Sequence, residues 1–132
     1  MTTLVDTSAL YALLDRDDEN HLAAASWFSS AEPAGQDLLT HNYIVVESAA
    51  LADRRLGREA ARALTEDLLP TMTILFVDEA LHWAATSAYM AATRRGPSLV
   101  DRVSFELMRH RGIRVAFAFD RDFRSAGFST IP

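Results

Sequence analysis

The sequence predicts an α/β fold, a three-layer α/β/α sandwich around a mostly parallel central sheet of four or five strands. Three observations predict it. Short apolar or β-branched runs alternate with longer segments whose apolar residues recur every three or four positions. Turn and cap residues punctuate the runs, as at Pro33-Ala34-Gly35, Gly57 and Gly96-Pro97. No repeat or low-complexity segment divides the 132 residues, a length that suits one domain over residues 1–132.

The elements follow in order. Thr3 to Val5 form a first strand. Ser8 to Leu14 form a short helix with Leu10, Leu13 and Leu14 on one side. The polar stretch Asp15 to Asn20 breaks it, and His21 to Ser30 resume as a helix with Leu22, Ala25 and Trp27 or Phe28 inward. Leu38 to Thr40 make a second strand. His41-Asn42 starts the next helix, with Asn42 the favoured cap, and that helix runs from Tyr43 to Arg55. After Gly57, Arg58 to Leu69 form a further helix that Pro70 closes. Thr73 to Val77 are a third strand. Asp78 caps a helix from Glu79 to about Thr93. Ser98 to Arg111 form another, with Gly112 beyond its end. Arg114 to Phe119 are a fourth strand, Asp120 to Ala126 a turn or short helix, and Phe128 to Ile131 a last strand.

Composition narrows the function. Apolar residues make up 49 % and charged residues 23 %, enough to build an ordinary core. There is no cysteine, which excludes a disulfide framework and a thiolate zinc site and fits a reducing compartment. No apolar stretch approaches the roughly 20 residues that cross a bilayer, and MTTLVDTSAL is not a secretory signal, so a cytoplasmic location is expected. The net charge is −5, which does not announce a nucleic-acid binder. Yet all 13 basic residues are arginine, and they cluster at Arg54–Arg62, at Arg94 and Arg95, and at Arg109–Arg114. These clusters are either solvated helix faces or phosphate contacts.

Acids in apolar company carry the chemistry. In open parallel sheets ligands bind outside the carboxyl ends of the strands. Asp6 stands at the end of the first strand and Asp120 at the end of the fourth. Glu47 lies among Tyr43, Ile44, Val45 and Val46, and Asp101 sits in the stretch GPSLVDRVSF. Asp122 follows in AFAFDRDF. Each has an ordinary structural explanation: a helix cap for Asp6, a rim position for Glu47, a first-turn anion for Asp101, an Asx turn for Asp120 and Asp122. Taken jointly they suggest a cluster, and grouped carboxylates attract a hard divalent cation. His21, His41, His82 and His110 have no zinc-site spacing and read as surface or cap residues. No phosphate-binding glycine loop or nucleophile elbow is present.

LVDTSAL, the isolated Glu47, SLVDRVSF and AFDRDF followed by AGF together resemble the PIN domain, and in length and layout the VapC-type toxin ribonucleases of bacterial toxin–antitoxin pairs. The resemblance covers almost the whole chain. It implies a PIN-like sandwich and a Mg²⁺- or Mn²⁺-dependent endoribonuclease that hydrolyses RNA phosphodiester bonds. The catalytic acids it implies are Asp6, Glu47, Asp101 and Asp120, which would also hold metal, with Asp122 an additional ligand. Ser8 resembles the small hydroxyl residue that supports the first acid. Ala118 departs from the pattern, since a threonine often stands there. Arg102 and Arg121 are the candidate RNA contacts by adjacency, with pairing to a nearby acid the alternative for Arg102. The family also implies a homodimer and an inhibitory antitoxin. Leu51, Leu56, Leu64 and Leu68 either receive such a partner or pack on the sheet. Three other readings stay open: a nuclease acting on DNA or in RNA processing, a noncatalytic binding module with a degenerate acidic site, and an acidic-site phosphohydrolase acting on a small phosphate ester.

Overall fold

A computed structural model describes residues 1–132. Five strands form one all-parallel sheet: β1 (Thr2–Val5), β2 (Asp37–His41), β3 (Thr73–Leu75), β4 (Val115–Phe117) and β5 (Ser129–Ile131), in the order β3-β2-β1-β4-β5. Seven α-helices connect them: α1 (Thr7–Leu14), α2 (His21–Ala31), α3 (Asn42–Leu56), α4 (Arg58–Ala63), α5 (Glu79–Ala91), α6 (Leu99–Arg111) and α7 (Asp122–Ser125). Right-handed crossovers put α1–α4 over one face and α5–α7 over the other, the predicted three layers. The chain steps from β1 through β2 to β3, then returns across to β4. The reversal falls between β1 and β4, the place where such sheets open a crevice.

The core forms because the strand residues are apolar on both faces. Leu4, Val5, Ala116 and Phe117 are fully buried. Trp27 of α2 packs on Phe117 with ring centroids 4.5 Å apart, and Phe105 of α6 meets Phe123 of α7 edge-on at 5.1 Å. Leu64 is buried and Leu68 packs against the core, so these two leucines serve the sheet. Trp83, by contrast, is 57 % exposed and is no core residue. No helix is long and apolar enough to cross a membrane.

Several local expectations need correction: Leu22, expected inward on α2, is 82 % exposed, and Ala24 is buried in its place. The helix predicted over Arg58–Leu69 ends early: α4 gives way to a π turn (Leu64–Leu68) and a 3-10 turn (Leu69–Thr71). Pro70 has no N–H with which to continue the α ladder. The wider turn, in which Leu69 N–H bonds Leu64 carbonyl, lets both leucines reach the core. The cap of α3 is His41, not Asn42. His41 Nδ1 accepts from Ile44 N–H at 3.3 Å, and Asn42 Oδ1 instead accepts from Val77 N–H at 2.7 Å, tying the exit of β3 to the start of α3. His41 is therefore a cap residue but not a surface one, being fully buried.

The His41 ring explains its own protonation. Nδ1 is an acceptor, so Nε2 carries the proton and donates to Ser104 Oγ at 2.8 Å; Ser104 in turn donates to Val100 carbonyl. A second ring proton would face Ile44 N–H in a dry site. Burial lowers the His41 pKa from 6.5 to about 4. The unfolded chain thus binds the proton more readily. Stability from this group is complete above pH 6.5 and is lost as pH falls toward 4, by about 3 kcal/mol across that window. Urea unfolding of wild type and of His41→Asn, which keeps an acceptor without the titration, should differ in slope over this range. Parallel pH profiles would refute the assignment.

Candidate active site

Asp6 is the first residue past β1. Its N–H bonds Phe117 carbonyl at 3.1 Å, so β4 holds the backbone just where the side chain turns into the crevice. As the cap of α1, its Oδ2 accepts from Ser8 N–H at 3.1 Å and Ser8 Oγ at 2.6 Å. Ser8 Oγ also accepts from Phe119 N–H at 3.0 Å. One hydroxyl therefore joins the start of α1 to the stretch leaving β4, the supporting role expected of Ser8.

Asp101 arrives from the opposite layer. Ser98 and Asp101 form a capping box at the start of α6: Asp101 N–H bonds Ser98 Oγ at 3.1 Å, and Ser98 N–H bonds Asp101 Oδ2 at 3.0 Å. Asp120 forms an Asx turn, its Oδ1 accepting from Asp122 N–H at 2.9 Å, which orients both acids. Asp101, Asp120 and Asp122 each offer an oxygen within 4.8 Å of the others. With Ala118 buried at the end of β4, this Asx turn rather than a neighbouring hydroxyl positions Asp120.

Electrostatics tie Asp6 to this group. Asp6 is 4 % exposed, and its pKa rises from 3.8 to about 7. Burial is the main cause; the Ser8 hydrogen bonds oppose it, and the charges of Asp101 and Asp120 add to it. Asp101 is also raised, chiefly by burial, with Asp120 and Asp122 contributing repulsion. Asp101, Asp120 and Asp122 thus form one close group, and the charges of Asp101 and Asp120 reach the buried Asp6. Carboxylate oxygens crowded in a partly dry crevice are the donor set of a hard divalent cation, which would relieve both burial and repulsion.

Glu47 stands to one side. Like Asp6 it lies outside the group of three acids, no charge effect ties it to them, and its Oε1 accepts from Thr7 Oγ1 at 2.6 Å. Thr7 is thus the link between Glu47 and Asp6, a residue the sequence reading passed over; the only signal for it was a second hydroxyl directly after Asp6. Arg102 follows Asp101 and is half-buried. It pairs with no acid, and its buried Nε has no hydrogen-bond partner. Arg121 is exposed between Asp120 and Asp122, also without an ion pair.

Comparison with known proteins identifies the family and fold. The family model of the PIN domain matches residues 3–129. The chain is 36 % identical over 125 residues to the 23S rRNA-specific endonuclease VapC20 of Mycobacterium tuberculosis (strain CDC 1551 / Oshkosh), covering 94 % of this chain and 93 % of that protein. The crystal structure of Mycobacterium tuberculosis VapC20, described as a sarcin–ricin loop cleaving toxin, superposes with a TM-score of 0.86 at 33 % identity, over 97 % of this chain and 96 % of the other. DNA-bound VapBC from Salmonella typhimurium shares the fold at a TM-score of 0.67 and 15 % identity, over 98 % and 96 % of the two chains.

Two outcomes test the site. An acid with a raised pKa costs stability as pH climbs, so metal-free protein should lose up to about 4 kcal/mol between pH 3.8 and 7 from Asp6 alone. Asp6→Asn should therefore unfold at a higher temperature than wild type at pH 8 without metal, and the gap should close toward pH 4. Ser8→Ala leaves Phe119 N–H and Asp6 short of a partner and should destabilise by about 2 kcal/mol in denaturant titrations.

Proposed function

The chain belongs to the PIN-domain family, and from that premise we propose that it is a metal-dependent endoribonuclease, the toxin of a toxin–antitoxin pair. The observation that carries the reading is the group of Asp101, Asp120 and Asp122, whose oxygens lie within 4.8 Å of one another, together with a buried Asp6 that feels the charges of Asp101 and Asp120. Its substrate is 23S rRNA, the RNA for which the relative VapC20 is named.

In this reading Asp6, Asp101, Asp120 and Asp122 hold Mg²⁺ or Mn²⁺, which when bound supplies charge neutralisation at the scissile phosphate and a more acidic water. The protein contributes the rest. Ser8 and the Asx turn fix the acids before substrate arrives, so little is lost to reorganisation. Thr7 holds Glu47 through Oε1, and Glu47 would orient the attacking water or bind a second metal's waters. Arg102 and Arg121, both free of carboxylate partners, hold substrate phosphates beside the cut. A homodimer and an inhibitory antitoxin complete the assembly, which acts in the cytoplasm.

Sequencing RNA ends after expression tests the whole reading. Wild type should create a new end in 23S rRNA. A folded Asp6→Asn protein should lose cleavage by on the order of 100-fold or more, and chelation should do the same. Undiminished cutting by Asp6→Asn would refute the role of Asp6, and cutting confined to DNA would redirect the function.

A further inference from the structure

A second feature adjoins the acidic crevice. The turn between α5 and α6 encloses an open cavity of about 500 Å³, bounded by Tyr89, Met90, Arg94, Arg95, Pro97 and Ser98. Its lining includes two arginines and no acid, in a chain of net charge −5. Neither Arg94 nor Arg95 makes an ion pair, and both are exposed. Tyr89 is 43 % exposed at its wall. Ser98 belongs to both places: it lines the cavity, and its N–H and Oγ form the capping box that positions Asp101. A strand lying across Asp101 therefore reaches this cavity within a short distance.

The other cavities are different in charge or in place. The one between α3 and α4, about 480 Å³, contains Asp53 and Glu66 with Arg58 and Arg62, and Arg62 pairs with Glu66 at 3.6 Å. A cavity of about 250 Å³ between α5 and α6 mixes Asp78 and Glu106 with Arg111. A cavity with Arg111 and Arg114 and no acid lies by Met1, Thr2 and Val115, at the edge where β1 and β4 begin, opposite the catalytic acids.

Resting on the ribonuclease reading, we propose that the α5–α6 cavity is an RNA subsite that sets substrate affinity. Arg94 and Arg95 hold phosphates of the strand flanking the scissile bond, and Tyr89 stacks on an adjacent base. Single-stranded RNA pairs a backbone phosphate with a stackable base at every step, which matches two guanidinium groups beside one exposed ring. These three are positioning residues and touch no reacting atom.

The test uses the full chain with Mn²⁺ and an RNA hairpin carrying the sarcin–ricin loop sequence. Arg94→Ala/Arg95→Ala should raise KM about tenfold and leave kcat within about twofold, with an unchanged melting temperature. In an Asp6→Asn background, which binds without cutting, the same pair should weaken binding about tenfold and lower the slope of log Kd against log salt by about 1 to 2. Arg94→Lys/Arg95→Lys should restore most of the affinity. Tyr89→Phe should bind as wild type does, and Tyr89→Ala should not. Wild-type cutting with KM and salt slope unaltered in the double alanine variant would overturn the subsite alone. Wild type that neither binds nor cuts the hairpin would overturn the ribonuclease reading and the subsite with it. Polyglutamate competing as well as RNA would reassign the cavity to an acidic protein segment.

Discussion

The hydroxyl of Ser8 holds two parts of the chain that meet only in the folded state. It donates to Asp6 and accepts from Phe119 N–H, so the first turn of α1 and the segment leaving β4 cannot drift apart. The backbone bond from Asp6 to Phe117 runs alongside it. The acids at the end of β1 and beyond β4 are placed relative to this clasp, while Asp101 is placed by its capping box with Ser98. Asp120 follows Phe119 directly, Asp122 is set by the Asx turn, and Thr7 carries the reach toward Glu47. The clasp is also small enough to sit at a sheet edge without blocking it.

Around that clasp the protein keeps an unfavourable charge distribution on purpose of geometry rather than stability. Packing would favour apolar residues at the end of β1, and burying Asp6 pushes its carboxyl toward the neutral form. Repulsion from Asp101 and Asp120 pushes the same way. Sites that sacrifice stability in this manner are common where a ligand supplies the missing counter-charge. The α5–α6 cavity shows the complementary arrangement, positive groups left without partners a short way from the negative ones. Net charge averages the two and conceals both.

Most strands and helices were legible because each has a simple cause: apolar runs for the strands, three- and four-residue spacing for the helices, Asp78, Ser98 and Gly112 at their ends. The acids were legible as candidates, yet the sequence could not choose between structural and functional roles. In the structure Asp6 caps α1, Asp101 completes a capping box and Asp120 closes an Asx turn, while Asp101 and Asp120 also share a group with Asp122 and act on Asp6 by charge. A carboxylate has enough lone pairs to do both. What escaped was set by distant partners: the burial of His41 against Ser104, the diversion of Asn42 to Val77, and the hold of Thr7 on Glu47. The π turn escaped because two leucines and the core, not local propensity, demand it.

The strand order has a bearing on how the molecule is born. β1 leaves the ribosome first, but its final neighbour on one side is β4, made near the end of synthesis. Until Phe119, Asp120 and Asp122 have emerged, Ser8 lacks the Phe119 N–H that completes the clasp and Asp101 lacks the two acids it groups with. A nascent or prematurely ended chain that lacks these last residues therefore has neither the bond from Phe119 to Ser8 nor the group of three acids.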